Sequence, residues 1–428
     1  MRRYESYKDS GVEWLGEVPS HWESFPLFVQ AKISSITNHI DKELLSVYLD
    51  RGVVRFSDVD EKRTNVTSLD LSKYQLVRKG NLVLNNQQAW RGSVGVSSYE
   101  GIVSPAYLIL ELSNKFDPHY ANYLFRNSSM VSHYLIASKG VGTIQRNLYW
   151  GNLRRTPIFI PPLSEQQKIS QFLDDKTSKI DQAVDLAEKQ IALLKEHKQI
   201  LIQNAVTRGL NPDVPLKDSG VEWIGQVPEH WDVKKLKYLG NAIIGLTYSP
   251  DDLCDESEGI LVARSSNIQN GSFVYSDNVY VKKQIPKKLQ LKEQDILICS
   301  RNGSRDLIGK CAYITKDQEK HTFGAFTTVF RSKYNPYLFY ILNSEIFKRL
   351  SGNFLTSTIN QLTINNLNSI QVALPPLLEQ QKIADYLDKQ TAKIDQAIAL
   401  KTAHIEKLKE YKSVLINDVV TGKVRVSV

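Results

Sequence analysis

The sequence contains one pair of motifs twice, and this internal repeat constrains the fold more than any other feature of the 428 residues. Residues 8–16 read KDSGVEWLG and residues 217–225 read KDSGVEWIG, and each copy continues to Val-Pro-x-His-Trp. A second motif, PPLSEQQKI from Pro161, returns as PPLLEQQKI from Pro375. We therefore predict one architecture that the chain builds twice.

The residues between the motifs differ strongly between the two halves. The motifs around the two inserts, residues 23–160 and 232–374, are nearly identical, whereas the inserts are unlike. This pattern suggests that the motifs serve one structural task in both halves and that each insert has its own selective task. We predict an N-terminal domain with its repeated segment at 7–22, a first long helix, a second domain with its repeated segment at 216–231, and a second long helix with a tail. The predicted ranges of these four regions are 1–160, 161–210, 211–374 and 375–428.

Each proline pair is followed by apolar residues at alternating spacings of four and three, which is typical of a heptad seam about four heptads long. Ser164 and Gln167 fit a capping box at the first helix start. Lys198 and Lys412 interrupt the two seams at equivalent levels. We favour antiparallel pairing of the helices over the alternative that each packs only on its own domain. The seam residues are Ile180, Val184, Ile191, Leu194 and Leu201, and Ile394, Ile398, Ile405, Leu408 and Leu415.

The inserts mix short strands with one predicted helix each, so the expected fold class is α+β. Asp117-Pro118 and Asn335-Pro336 are N-cap and N1-proline signals, and the helices are expected to end at Gly140 and Gly352. Antiparallel long helices would hold the two domains apart about a pseudo-twofold axis.

Polar, basic and aromatic residues follow equivalent strands in the two inserts. Arg pairs bidentately with guanine, and Asn or Gln with adenine, so these loops are candidates for reading DNA bases. For any single residue an ordinary solvated loop is the alternative, but recurrence at matched positions favours binding. The candidates are Gln87, Gln88, Trp90, Arg91, Lys139, Arg146 and Asn147 in the first half, and Arg301, Asn302, Arg305, Lys310, Asn360 and Gln361 in the second.

With these motifs in this order, the chain resembles the DNA specificity subunit of type I restriction–modification enzymes over essentially its whole length. The resemblance implies two target-recognition domains that each read half of a bipartite, interrupted site in double-stranded DNA. It also implies long helices that dock methyltransferase (modification) subunits, with translocase–nuclease (restriction) subunits joining the complex. S-adenosylmethionine, ATP and Mg²⁺ are then expected on the partner subunits, and no cofactor or metal in this chain.

Motifs that could carry catalysis fit poorly. Neither proline pair is preceded by the acidic or amide residue that an amino-methyltransferase needs. Five residues separate the glycines of Gly303–Lys310 where a phosphate loop has four. No acidic or cysteine partner is predicted for His21 and His230, which favours packing histidines over metal ligands or catalytic bases. We therefore predict no catalytic residue and no enzyme activity for this chain.

Composition agrees with a DNA partner. The formal charge is +8, and the three cysteines show no CxxC spacing, which suits reduced thiols in a cytosol. No apolar signal segment or run of about 20 apolar residues occurs, so we expect a cytoplasmic protein. A coiled-coil scaffold whose domains bind proteins is the alternative, and the missing motifs disfavour a stand-alone restriction enzyme.

Overall fold

The computed structural model describes residues 2–12, 15–59, 70–141, 145–353 and 360–426. The chain divides into two compact units, unit 1 (Met1–Ala187 with Ala403–Val428) and unit 2 (Glu188–Thr402). Each unit combines one insert with the N-terminal part of one long helix and the C-terminal part of the other. Glu13 and Trp14 of the first repeat, and residues 354–359 beside a candidate loop, lie outside the described residues.

Unit 1 is built from short strands and short helices that precede the first long helix. They are, in chain order, β1 (Tyr7–Asp9), β2 (Glu17–Pro19), β3 (Glu23–Pro26), α1 (Leu27–Gln30), β4 (Ala31–Ser34), β5 (Leu45–Tyr48), β6 (Gly52–Arg55), β7 (Gln75–Val77), β8 (Leu82–Asn85), β9 (Val94–Val96), β10 (Gly101–Val103), β11 (Tyr107–Leu112), α2 (Pro118–Arg126), α3 (Ser128–Ala137), β12 (Ser138–Val141), β13 (Gln145–Leu148), α4 (Trp150–Leu153), β14 (Pro157–Ile160) and the long helix α5 (Leu163–Arg208).

The main sheet of unit 1 is antiparallel, with strand order β4-β11-β8-β9. Its inner strand β8 carries Leu82, Val83 and Leu84, all fully buried, as expected for a strand covered on both faces. β3 pairs with β14 and ties the two ends of the insert together. The residues that follow β8 therefore leave the sheet from a fixed, well-packed position.

Unit 2 repeats this plan with additional strands. Its elements are β15 (Leu216–Asp218), β16 (Gln226–Pro228), β17 (Asp232–Lys235), β18 (Asn241–Ile244), β19 (Leu253–Cys254), β20 (Ile260–Ala263), β21 (Ile268–Gln269), β22 (Gly271–Phe273), β23 (Tyr280–Val281), β24 (Ile296–Cys299), β25 (Cys311–Tyr313), β26 (Thr322–Phe323), β27 (Thr327–Arg331), α6 (Asn335–Leu342), α7 (Glu345–Asn353), α8 (Ile364–Ser369), β28 (Gln371–Leu374) and the long helix α9 (Leu377–Val420).

The main sheet of unit 2 has the order β18-β27-β24-β25-β22-β21, so β27-β24-β25 takes the part that β11-β8-β9 takes in unit 1. β24 is buried along its whole length and is the counterpart of β8. β17 pairs with β28, as β3 pairs with β14. The two inserts thus have the same sheet core, and the α+β prediction is confirmed.

The long helices pair antiparallel within each unit, as predicted. In unit 1, Ile180 of α5 and Leu415 of α9 share one apolar core. In unit 2, Lys401 Nζ of α9 lies 2.6 Å from Gln190 Oε1 of α5. Among the described residues, no helix is long and apolar enough to cross a membrane. The predicted seam residues are buried (Ile180, Val184, Ile394, Ile405, Leu415) or half-buried (Ile191, Leu194, Leu201, Ile398, Leu408).

The ends of the long helices differ partly from the sequence predictions. α5 begins at Leu163, so Ser164 lies inside the first turn and the predicted capping box at this residue is wrong. Each helix is followed by a glycine in the left-handed region, Gly209 at φ +75° and Gly422 at φ +77°. A Cβ on Gly422 would lie 2.3 Å from Pro19 Cδ, so this close approach requires glycine.

The insert helices are broken where one continuous helix was predicted. Asp117 caps α2 as expected, because its carboxylate accepts from Tyr120 N. Asn127 then accepts from Met130 N and starts α3, which ends the first helix early. Asn335 is the first helical residue rather than the cap, and its amide donates to Gln294 O and Phe330 O at 2.8 Å. Gly140 lies in β12, so this predicted helix end is wrong, whereas Gly352 lies one residue before the end of α7 at Asn353.

Candidate nucleic-acid interface

In unit 1, the loop that follows β8 is fixed by main-chain hydrogen bonds on both sides. Asn86 N donates to Ala106 O at 3.2 Å, just before β11. Leu148 N, at the end of β13, donates to Asn86 O at 2.9 Å. These bonds hold the backbone at Asn86 without using its side chain, and the next residue, Gln87, is exposed.

The loop that follows β24 in unit 2 has the same bonding pattern. Ser300 N donates to Phe326 O at 3.1 Å, just before β27, and Leu362 N donates to Ser300 O at 2.8 Å. Ser300 is thus the counterpart of Asn86, and the exposed Arg301 is the counterpart of Gln87. Two different side chains therefore leave equivalent backbone positions in the two units.

Predicted DNA-binding residues of unit 1 gather around one indole ring. Trp90 Nε1 donates to Gln87 O at 2.9 Å. The guanidinium carbons of Arg91 and Arg146 lie 4.6 and 5.9 Å from the Trp90 ring centroid, within cation–π range. The ring thus organises two cations beside the loop. Gln88 is half-buried in the same loop.

The β12–β13 hairpin contributes the remaining candidates of unit 1. Lys139 faces Asn147 in its register, and Gly140 faces Arg146. Both Lys139 and Asn147 are exposed, and Lys139 Nζ lies 5.9 Å from the centroid of the exposed Tyr149 ring. The structure therefore brings together polar, cationic and aromatic groups from segments about 50 residues apart, the combination that suits a nucleic-acid surface.

In unit 2 the corresponding loop borders a groove of about 890 Å³. Three of the predicted residues line it: Arg301, Asn302 and Asn360. Gln361 forms an isolated antiparallel bridge with Arg301. The groove lining does not include Gln361, Arg305 or Lys310.

Several predicted residues of unit 2 are engaged inside the protein. Asn302 Oδ1 accepts from Ser304 N at 2.9 Å, and Asn302 Nδ2 donates to Ser265 Oγ at 3.0 Å. Asn360 Nδ2 donates to Gly303 O at 3.0 Å. These amides therefore support the shape of the loop.

Arg305 and Lys310 lie farther along the same connection. Arg305 Nη2 donates to Gly352 O at 3.0 Å. Lys310 is half-buried, and its carbonyl accepts from Cys299 N at 2.8 Å. Of the three cationic residues predicted to bind DNA in unit 2, Arg301 is therefore the one that lines the groove.

Sequence reasoning missed other residues of this groove. Arg264 follows the buried strand β20 and pairs with Asp277 at 3.3 Å. Phe326 precedes β27 and is 61% exposed, and its ring centroid lies 5.3 Å from the Arg301 guanidinium carbon. A polar residue directly after a buried strand was the available signal for Arg264. The exposure of Phe326 had no sequence signal, because its neighbours suit a buried strand.

The histidines of the repeated motif lie against aromatic rings, as packing residues do, but each also has an acidic partner, contrary to the prediction. His21 Nε2 lies 2.8 Å from Glu165 Oε2, and His230 Nε2 lies 2.8 Å from Glu379 Oε2. Both imidazoles are partly exposed and each contacts the first turns of a long helix. The two pairs join each repeated motif to the helix of its own unit.

Cys299 and Cys311 are buried residues whose role is structural. Burial raises the pKa of the Cys299 thiol to about 11, and burial raises the pKa of Cys311 further. Both thiols are therefore neutral near pH 7 and poor metal ligands. Within the described ranges, no group of three or more His, Cys, Asp or Glu side chains could hold a metal ion.

Comparison with known proteins gives matches over both halves of the chain. The family model for the type I restriction modification DNA specificity domain matches residues 36–196 and 228–410. The chain is 26% identical over 436 residues to the type I restriction enzyme MjaVIII specificity subunit of Methanocaldococcus jannaschii, covering 96% of this chain and 94% of that protein. It is 28% identical over 206 residues to the type I restriction enzyme EcoKI specificity subunit of Escherichia coli, covering 46% and 44%.

Solved structures share the fold at low sequence identity. A chain solved in work on complex assembly and conformational transition of the type I R-M system superposes with a TM-score of 0.74 at 16% identity, covering 95% of this chain and 99% of that one. The HsdS subunit from Thermoanaerobacter tengcongensis superposes with a TM-score of 0.54 at 16% identity, covering 95% and 98%. The doubled architecture therefore occurs in proteins of very different sequence.

Proposed function

This chain belongs to the type I restriction–modification DNA specificity family, and we propose that it reads a bipartite, interrupted DNA target with one unit for each half-site. The proposal rests chiefly on one observation. Two loops with the same main-chain hydrogen bonds, after β8 and after β24, carry different side chains at equivalent positions. Shared backbone with unlike side chains suits two readers of two unlike sequences.

The side chains around these loops match what double-stranded DNA presents. Arg, Asn and Gln can pair with base edges, while Lys and Arg contact phosphates and make affinity salt-dependent. In unit 1 the Trp90 ring gathers Arg91 and Arg146, and in unit 2 Arg301 borders the groove. We assign bond making and breaking to partner subunits, which makes this chain a non-catalytic component.

The long helices are the proposed docking surface for methyltransferase subunits. Apolar residues on α5, Leu186, Leu193 and Ile200, recur every seven residues and are half or more exposed. Leu400 and Val414 of α9 are the equivalents of the first and third, and both are also exposed. α5 already pairs with α9 through one apolar stripe. A second, exposed stripe at heptad spacing suits packing against a helix of another subunit. Restriction subunits would join this complex.

The cofactors follow from this division of work. S-adenosylmethionine would be bound by the modification subunits, and ATP and Mg²⁺ by the translocase–nuclease subunits. The proposal therefore requires no cofactor and no metal bound by this chain.

Selection from a random duplex pool tests the proposal. The full chain, with its methyltransferase subunits co-expressed, should enrich a split motif, and binding should weaken steeply as salt rises. Replacing residues 232–374 with the corresponding domain of another family member should change only one half of that motif. Salt-insensitive binding with no enriched motif would instead support a scaffold whose domains bind proteins. Methylation or cleavage by the purified chain alone would overturn the non-catalytic assignment.

A further inference from the structure

We infer that Gln87 and Arg301 are the specificity-determining residues at one equivalent position of the two half-sites, with Gln87 selecting adenine and Arg301 selecting guanine. This inference rests on the proposed function. It goes beyond that proposal because it names one residue in each unit and the base that each residue selects.

Both residues directly follow the same hydrogen-bonded backbone position in their units. The preceding residue, Asn86 or Ser300, donates its N–H to the residue before the neighbouring strand and accepts from Leu148 N or Leu362 N. In unit 2, Arg301 N also donates to Phe326 O at 3.0 Å. Main-chain bonds of this kind do not depend on side-chain identity, so the backbone position from which the next side chain leaves is set by the fold.

Arg301 has an unused bidentate edge. It is exposed, and among the described residues its guanidinium forms no ion pair and donates no hydrogen bond. Its guanidinium carbon lies 5.3 Å from the centroid of the Phe326 ring. A ring beneath a guanidinium restrains its plane and leaves the N–H groups at its edge available. The O6 and N7 acceptors of guanine match that edge.

Gln87 is comparably available in unit 1. It is exposed, and in the part of the chain that the structure describes its side-chain amide has no hydrogen-bond partner. Its backbone is held, because its N–H donates to Asn85 Oδ1 and its carbonyl accepts from Trp90 Nε1. A carboxamide can donate to N7 and accept from N6 of adenine at the same time.

Neighbouring candidates are less suited to this role. Asn302 uses its amide oxygen toward Ser304 N and its amide nitrogen toward Ser265 Oγ. Asn360 donates to Gly303 O. Reading a base with either side chain would break hydrogen bonds that form the loop, and such breakage offsets the gain.

The test is selection from a random duplex pool with the full chain and its co-expressed methyltransferase subunits. Arg301→Gln should replace guanine by adenine at one position of one half-site and leave the other half-site unchanged. Gln87→Arg should make the opposite replacement in the other half-site. A bidentate pair gives discrimination of roughly tenfold or more, so we expect about that change in relative affinity for the two duplexes.

Arg301→Lys is the matched control, because it keeps the charge and removes the planar fork. It should keep overall affinity within a few-fold and lose most of the preference at that position. Unchanged melting temperatures verify that these exposed substitutions leave the fold intact. If the wild type enriches a split motif and both exchanges leave it unchanged, the inference is wrong while the proposed function stands. A wild type that enriches no motif overturns both.

Discussion

Lys412 Nζ lies 2.7 and 2.6 Å from the two carboxylate oxygens of Asp181, so that one ammonium group bridges α9 and α5 in unit 1. Unit 2 contains the equivalent pair, in which Lys198 Nζ lies 2.7 Å from both oxygens of Asp395. The two lysines that interrupt the apolar seams therefore each reach a carboxylate on the opposite helix. The lysine is on α9 and the aspartate on α5 in unit 1, and the two residue types exchange helices in unit 2. An antiparallel pair of helices with related sequences requires this exchange.

We predict that Lys412→Met lowers the free energy of unfolding by about 0.5–1 kcal/mol, because partly exposed ion pairs contribute little. Exchanging the charges with Lys412→Asp and Asp181→Lys together should recover most of the stability that Lys412→Asp alone removes. Urea unfolding measures both effects, and Lys409→Met on the exposed face is the control. A double exchange as unstable as the single variant would contradict the bridge.

Trp22 and Trp231, which end the two Val-Pro-x-His-Trp segments, should differ in how much stability their replacement by phenylalanine removes. Both indoles are buried, but Trp22 Nε1 donates to Glu165 Oε1 at 3.2 Å, whereas Trp231 Nε1 has no hydrogen-bond partner among the described residues. Trp22→Phe should therefore lower the free energy of unfolding by about 1–2 kcal/mol more than Trp231→Phe does. The first substitution loses a hydrogen bond, whereas the second removes an unpaired donor. Parallel denaturant unfolding of the two variants measures this difference, and equal losses would disprove it.

Thiol labelling should distinguish the three cysteines. Cys254 is half-exposed, whereas burial raises the pKa of Cys299 to about 11 and that of Cys311 further. Because only the thiolate reacts and a raised pKa keeps the thiol protonated below that pKa, Cys299 and Cys311 stay unreactive at pH 8. Titration with a disulfide reagent should count one thiol in the native chain and three in denaturant. Cys254→Ser should reduce the native count to zero, and rapid native labelling of a second thiol would contradict the buried positions.

We expect the long helices to act as a spacer between the two domains, and this expectation gives a further prediction. Seven residues inserted after both Gln190 and Lys401, which contact each other, preserve the heptad phase and add about 10 Å of helix. The gap of the selected motif should lengthen by up to about 3 base pairs at ~3.4 Å per step, with the recognised bases unchanged. Selected motifs report the gap directly. Insertion into α5 alone is the control, since it misaligns the pair, and an unchanged gap after the double insertion would refute the spacer role.

The parts of this fold that sequence could predict are those encoded locally. Heptad spacing around Ile180 and Ile394 identified two pairing helices, because periodicity is a property of adjacent turns. The helix break at Asn127 was missed because a side-chain cap competes with a continuing apolar pattern, and the burial of Asn335 depends on the carbonyls of Gln294 and Phe330.

The candidate site was predictable to a similar degree. The loops after β8 and β24 were found because polar residues follow buried strands at matched positions. Phe326 was missed because it reaches Arg301 only through the pairing of β27 with β24, which sequence spacing does not report. Likewise His21 and Glu165 are 144 residues apart, so their contact was not visible in the motif.

The main-chain bonds at Asn86 and Ser300 have a consequence for how such proteins diversify. Amide-to-carbonyl bonds hold the backbone at Asn86 and Ser300, so these two positions do not depend on which side chains residues 87 and 301 carry. A single codon change at residue 87 or 301 would then alter the preferred target while the chain remains folded. If residues 87 and 301 select bases as we infer, a new target preference would arise in one step, without an intermediate that fails to fold.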